Sequence, residues 1–147
     1  MDFRPQGLID TGAILAFLNR RDRWHEVCLK TFTTLTFPLA TSAAVLAEVF
    51  HLLPGSWDVP RVWTFLKSGA VTVLPITDDD LPDIEALMDR YQDCPMDFAD
   101  ATLVHLARRE ALTTIFTIDH DDFETYRIEG KRRFRIVPDR SAIIQRV

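Results

Sequence analysis

The chain has 147 residues, 47% of them apolar and 27% charged, with a net charge of −5 at neutral pH. That length and balance fit one globular domain with a sizeable core and argue against a generic polyanion binder. No apolar run approaches the ~20 residues of a membrane span, and the opening Met1, Asp2 and Arg4 are not a signal peptide. Two cysteines, Cys28 and Cys94, are too few for a disulfide framework or a zinc site, so reduced thiols and a cytoplasmic location are expected.

In chain order, residues 7–9 form a short apolar strand ending at Asp10, and Thr11 and Gly12 lead into a helix over 13–18. A second helix is expected over 24–33 and a strand over 37–41. Ser42 then caps a helix over 43–53, which Pro54 and Gly55 stop. Within that helix Glu48 sits among Ala44, Val45, Ala47 and Val49, where burying a carboxylate is costly unless it is paired. A helix over 58–67, a strand over 70–74 and a helix from Thr77 or Asp78 to Tyr91 follow. Leu81, Ile84, Leu87 and Met88 recur at helical spacing in the last of these.

Asp97 is placed to cap a helix over 98–111, whose small residues Ala99, Ala101 and Ala107 permit close packing on a sheet. Residues 112–118 are a β-branched, apolar run, the mark of a strand buried on both faces, and Asp119 lies just beyond it. The segments 123–127 and 133–137 suggest a final hairpin or edge strand around Glu129 and Gly130. The order β-α-α-β-α-α-β-α-α-β-(β) predicts an α/β fold, a mainly parallel central sheet flanked by helices. No linker or repeat interrupts it, so 1–147 reads as a single domain with its core at about 7–137.

Charge is unevenly distributed. Between Asp78 and Asp100 nine acids face one arginine, whereas between Tyr126 and Val147 seven basic residues, Arg146 the last, face only Glu129 and Asp139. A basic rim near an acidic pocket suits an anionic polymer that meets a metal; an acidic solvated helix and a basic hairpin without a partner is the plainer alternative. Four carboxylates stand out: Asp10 and Asp119 at strand ends, where open α/β sheets bind ligands, and Glu48 and Asp100 on helices able to flank the same edge. Each has a local explanation as a turn or cap residue. Convergence of all four would force protonation or demand a cation. With no His or Cys at ligand spacing, an all-oxygen set points to Mg²⁺ or Mn²⁺, which can activate water for phosphodiester cleavage.

The segments LIDTGAILAFL, AAVLAEVFHLL, PMDFADATLV and TIDHDDF, in that order, resemble the PIN-domain family and, more narrowly, the VapC-like toxin ribonucleases of type II toxin–antitoxin pairs. The resemblance spans roughly Leu8 to Val137. It implies a doubly wound α/β/α domain and a Mg²⁺- or Mn²⁺-dependent endoribonuclease. Its metal-holding and catalytic acids would be Asp10, Glu48, Asp100 and Asp119, with Asp97, Asp121, Thr11 and Thr117 in supporting places. It further implies a homodimer and a cognate antitoxin partner. Arg127, Lys131, Arg132 and Arg133 are the expected contacts to RNA phosphates, which position a substrate without selecting its sequence. Two rivals are a non-catalytic PIN-like module that binds RNA or protein, and an aspartic protease sharing the D-T-G motif. The protease is an all-β fold with a glycine-rich flap, whereas this chain has five glycines and helical runs after the motif.

Overall fold

A computed structural model describes residues 4–144, and the side chains of Trp57 and Ile144 lie outside that description, as do Asp2 and Arg146. Five short strands, β1 (Gly7–Ile9), β2 (Leu39–Thr41), β3 (Val71–Val73), β4 (Thr114–Phe116) and β5 (Arg135–Val137), form one sheet in the order β3-β2-β1-β4-β5. Every pairing in it is parallel. Parallel strands need long crossovers, and helices supply them: α1 (Thr11–Leu18), α2 (His25–Thr34), α3 (Ala43–Leu52), α4 (Val59–Lys67), α5 (Leu81–Arg90), α6 (Phe98–Arg109) and α7 (His120–Thr125); α8 (Arg140–Ile144) follows the last strand.

The central strands are apolar because both faces are covered. Leu8, Ile9, Ala40 and Ile115 are fully buried, as are Ala13, Ile14 and Ala16 of α1 and Ala101, Leu103, Val104, Leu106 and Ala107 of α6. Small α6 residues let that helix approach the sheet closely. At the start of β1, a Cβ on Gly7 would stand 3.0 Å from Phe37 Cε2 and 3.2 Å from Leu39 Cδ2, so a larger residue there would make those side chains give way by a few tenths of an ångström.

Caps set the helix boundaries where the residue types suggest. Ser42 Oγ accepts the Val45 amide at the start of α3, and Asp97 Oδ1 accepts the Asp100 amide at the start of α6. At the end of α6, Ala111 adopts a left-handed φ of 56° so that the Leu112 amide can reach the Ala107 carbonyl at 2.9 Å.

One segment differs from its expected conformation. Residues 123–127 lie partly in helix α7 and partly in the turn after it, not in a strand, and the last strand, β5, joins β4 in parallel. Asp119 caps the segment by accepting the Asp122 amide, and Asp121 and Asp122 occupy the first turn, where the helix dipole favours acids. Those local terms outweigh the strand preference of Phe123 and Tyr126.

Candidate active site

The strand order reverses between β1 and β4, and Asp10 and Asp119 lie at the carboxyl ends of those two strands, beside the crevice such a reversal opens. Register brings their neighbourhood together. Ile9 is paired with Phe116, so Asp10 faces Thr117, and the Asp10 amide donates to the Phe116 carbonyl at 3.0 Å. Asp10 is 8% exposed. Its Oδ1 accepts the Thr11 amide at 2.7 Å, and its Oδ2 accepts the Thr117 hydroxyl at 3.0 Å. Thr117 Oγ1 in turn accepts the Asp119 amide at 2.9 Å, tying the two strand-end acids through one hydroxyl.

Glu48 reaches the same place from α3. Its Oε1 accepts the Thr11 hydroxyl at 2.9 Å, so the carboxylate on the apolar helix is paired instead of stranded in the core. The Thr41 hydroxyl donates to the Ile9 carbonyl, and Ser42 Oγ lies 2.8 Å from Thr102 Oγ1. Those two contacts hold the start of α3 against β1 and α6. Asp100, in the first turn of α6, accepts the Tyr126 hydroxyl on Oδ2 at 3.1 Å.

Electrostatics join these groups. Burial pushes the Asp10 carboxyl up to about 6, and the nearby charges of Asp119 and Glu48 add to the rise against the hydrogen bonds from Thr11 and Thr117. Burial likewise pushes Asp100 up to about 8, aided by Asp10, Asp97 and Asp122 and opposed by the Tyr126 hydroxyl. Asp122 rises to about 6 through burial and the acids Asp119, Asp121 and Asp97. Among the described residues no three His, Cys, Asp or Glu side chains close on a common point as they stand. The donors nonetheless suit a hard divalent cation: all are oxygens, they repel one another, and two are fixed by threonine hydroxyls.

The supporting residues divide. Thr11 and Thr117 orient the acids directly. Asp97 is exposed and serves as the α6 cap, and its charge still reaches Asp100. Asp121 points outward, its side chain 87% exposed, and binds Arg140 at 2.6 Å. The basic residues lie elsewhere than at the acids. Arg127 spends its guanidinium on the carbonyls of Glu124, Thr125 and Tyr126. The exposed turn carrying Lys131, Arg132 and Arg133 precedes β5 and so approaches the amino end of the sheet. Arg108, eight residues along α6 from Asp100, donates to the Ile128 carbonyl of that turn at 2.7 Å, about 12 Å farther down the helix.

Two residues at the site escape a reading of the sequence. Asp122 belongs to an acidic run that could have drawn notice. Tyr126 has no local signal, because its hydroxyl meets Asp100 only once α7 has folded.

A family model described as the PIN domain matches residues 7–129. The chain belongs to the PIN domain family. This PIN domain is 28% identical over 134 residues to "Ribonuclease VapC26" of Mycobacterium tuberculosis, a match covering 89% of this chain and 99% of that protein. Its fold is similar to that of M. tuberculosis VapC20, described as a sarcin–ricin loop cleaving toxin: TM-score 0.73 at 23% identity, covering 79% of this chain and 92% of that one. It is also similar to VapBC2 of Rickettsia felis bound to a promoter DNA fragment, with TM-score 0.63 at 14% identity over 88% of this chain and 97% of the other.

Proposed function

We infer that this PIN domain is an endoribonuclease, the toxin of a type II toxin–antitoxin pair, hydrolysing RNA phosphodiester bonds with a divalent ion, Mg²⁺ or Mn²⁺. The observation that carries the reading is the joining of Asp10 to the Asp119 backbone through the Thr117 hydroxyl, and of Asp10 and Glu48 through Thr11, at the crevice where the sheet's order reverses. The ribonuclease name of the M. tuberculosis relative and the toxin–antitoxin assemblies among structures of the same fold support it. Residues 1–147 are taken as one domain, with its core at about 7–137. The protein acts in the cytoplasm as a homodimer under the control of a cognate antitoxin. No helix among the described residues is long and apolar enough to cross a membrane.

In this reading Asp10, Asp100 and Asp119 hold the ion, directly or through water, and Glu48 completes the shell or orients the attacking water. When bound, the ion supplies a water of lowered pKa and a positive charge beside phosphorus. The chain's own groups do the arranging. Thr117 fixes the Asp10 carboxylate and the Asp119 backbone, and Thr11 fixes Asp10 through its amide and Glu48 through its hydroxyl. RNA in single strands or loops is the substrate class, since its bases can splay out of the path of the acids.

Incubation with total RNA at millimolar Mg²⁺ or Mn²⁺, with and without chelator, tests the reading. Cleavage that chelation stops and Asp10→Asn abolishes is expected. Tight RNA binding without product would instead favour the non-catalytic module, and proteolysis indifferent to chelator would favour a carboxylate dyad.

A further inference from the structure

We propose that Tyr126 is a positioning residue for the metal-binding form of Asp100, its phenol holding one carboxylate oxygen so that the other is presented to the ion. The inference rests on the reading of Asp100 as a metal-holding acid and extends it to a residue outside the acid set.

Three observations carry it. The Tyr126 hydroxyl donates to Asp100 Oδ2 at 3.1 Å, a side-chain donor on an acid otherwise bordered by like charges. The ring itself cannot wander. It is fully buried, edge-on to Tyr91 at 5.1 Å and to Phe123 at 5.3 Å between centroids. The backbone around it is pinned as well. The Tyr126 amide donates to the Asp122 carbonyl at the end of α7, its carbonyl accepts from Arg127, and the Arg127 amide donates to the Tyr91 hydroxyl at 3.0 Å.

A rigid donor aimed at one oxygen of a carboxylate that could otherwise rotate about its side-chain bonds selects a single orientation. The hydroxyl competes with no cation, because it donates its proton and leaves Oδ1 free of it. Such outer partners of metal-holding side chains change metal affinity about 10- to 100-fold when removed. Arg127 acquires a role here too, as the brace that locks the turn carrying Tyr126.

The test is Tyr126→Phe, which keeps the ring and its contacts and deletes only the hydroxyl. Mn²⁺ affinity of the purified full-length protein is measured by calorimetry, with melting in chelator as a check on the fold. Mn²⁺ binding at least about tenfold weaker than wild type is expected, with cleavage recovering at high Mn²⁺. Phe134→Leu, which disturbs the same aromatic cluster through Phe123 without removing a bond to Tyr126 or Asp100, should bind Mn²⁺ as wild type does. Wild-type Mn²⁺ affinity in Tyr126→Phe, beside a weakened Asp100→Asn, overturns the proposal and leaves the acid site standing. Equal weakening in Phe134→Leu also overturns it, in favour of ring packing. If Asp100→Asn itself binds Mn²⁺ like wild type, the metal-site reading fails and takes the role of Tyr126 with it.

Discussion

Thr117 and Asp10 are 107 positions apart, and the Thr117 hydroxyl donates to Asp10 Oδ2 at 3.0 Å while accepting the Asp119 amide. A threonine at this place does what neither acid can do alone: it ties the Asp10 carboxylate to the Asp119 backbone through one hydroxyl. Thr117→Val keeps the shape and removes both bonds. It should lower cleavage about 10- to 100-fold and stability by about 1–3 kcal/mol, read by initial rates and by urea unfolding.

The metal-free protein should be more stable in mild acid than at neutral pH. Asp10 at about 6, Asp100 at about 8 and Asp122 at about 6 all lie above the ordinary value of 3.8. The folded chain therefore holds more protons than the unfolded chain between about pH 4 and pH 8, and stability falls as pH rises through that window. For Asp10 alone the shift corresponds to up to about 2–3 kcal/mol at pH 8. Melting curves in chelator should show Tm rising from pH 8 to pH 5, Asp10→Asn should melt higher than wild type at pH 8, and saturating Mn²⁺ should flatten the slope. A pH-independent Tm in chelator would contradict the burial of these carboxyls beside like charges.

A second charged cluster has the opposite sign. Buried Asp80 accepts the Thr77 amide at 2.8 Å and Arg109 at 3.0 Å, with His105 Nε2 at 2.7 Å. The Thr77 amide, His105 and Arg109 hold its carboxyl well below the usual range, so its contribution is present above about pH 4 and lost as pH falls further. Asp80→Ala should lower Tm at pH 7 by roughly 5–10 °C, far more than the exposed neighbour Asp79→Ala. It should leave cleavage at 25 °C unchanged.

Ala111 carries a left-handed φ at the end of α6, a conformation that costs a Cβ-bearing residue about 1 kcal/mol. Ala111→Gly should recover about 0.5–1 kcal/mol, net of glycine's larger unfolded-state entropy, visible as a Tm higher by a few degrees.

The turn holding Lys131, Arg132 and Arg133 stands away from the acids along α6. Replacing all three with Ala should therefore weaken binding of long RNA and flatten its salt dependence. Cleavage of a short oligonucleotide that spans only the acid crevice should be unaffected. Equal losses on both substrates would place the turn nearer the acids than Arg108 allows.

The order of elements through β4, the strand ends at Asp10 and Asp119 and the Asp97 cap were legible in the chain, because apolar periodicity and capping depend on residues a few positions apart. The same locality misled at 123–127: aromatic residues suggested a strand, whereas Asp119, Asp121 and Asp122 together start a helix. Only tertiary structure decided that Thr117 faces Asp10, that Thr11 meets Glu48, that Tyr126 reaches Asp100, and that Arg109 joins buried Asp80 and His105 in one cluster. It also placed the basic turn away from the acids. Those outcomes follow from strand register and from how α3, α6 and α7 dock on the sheet, which the packing of the whole core sets and no short window of sequence contains.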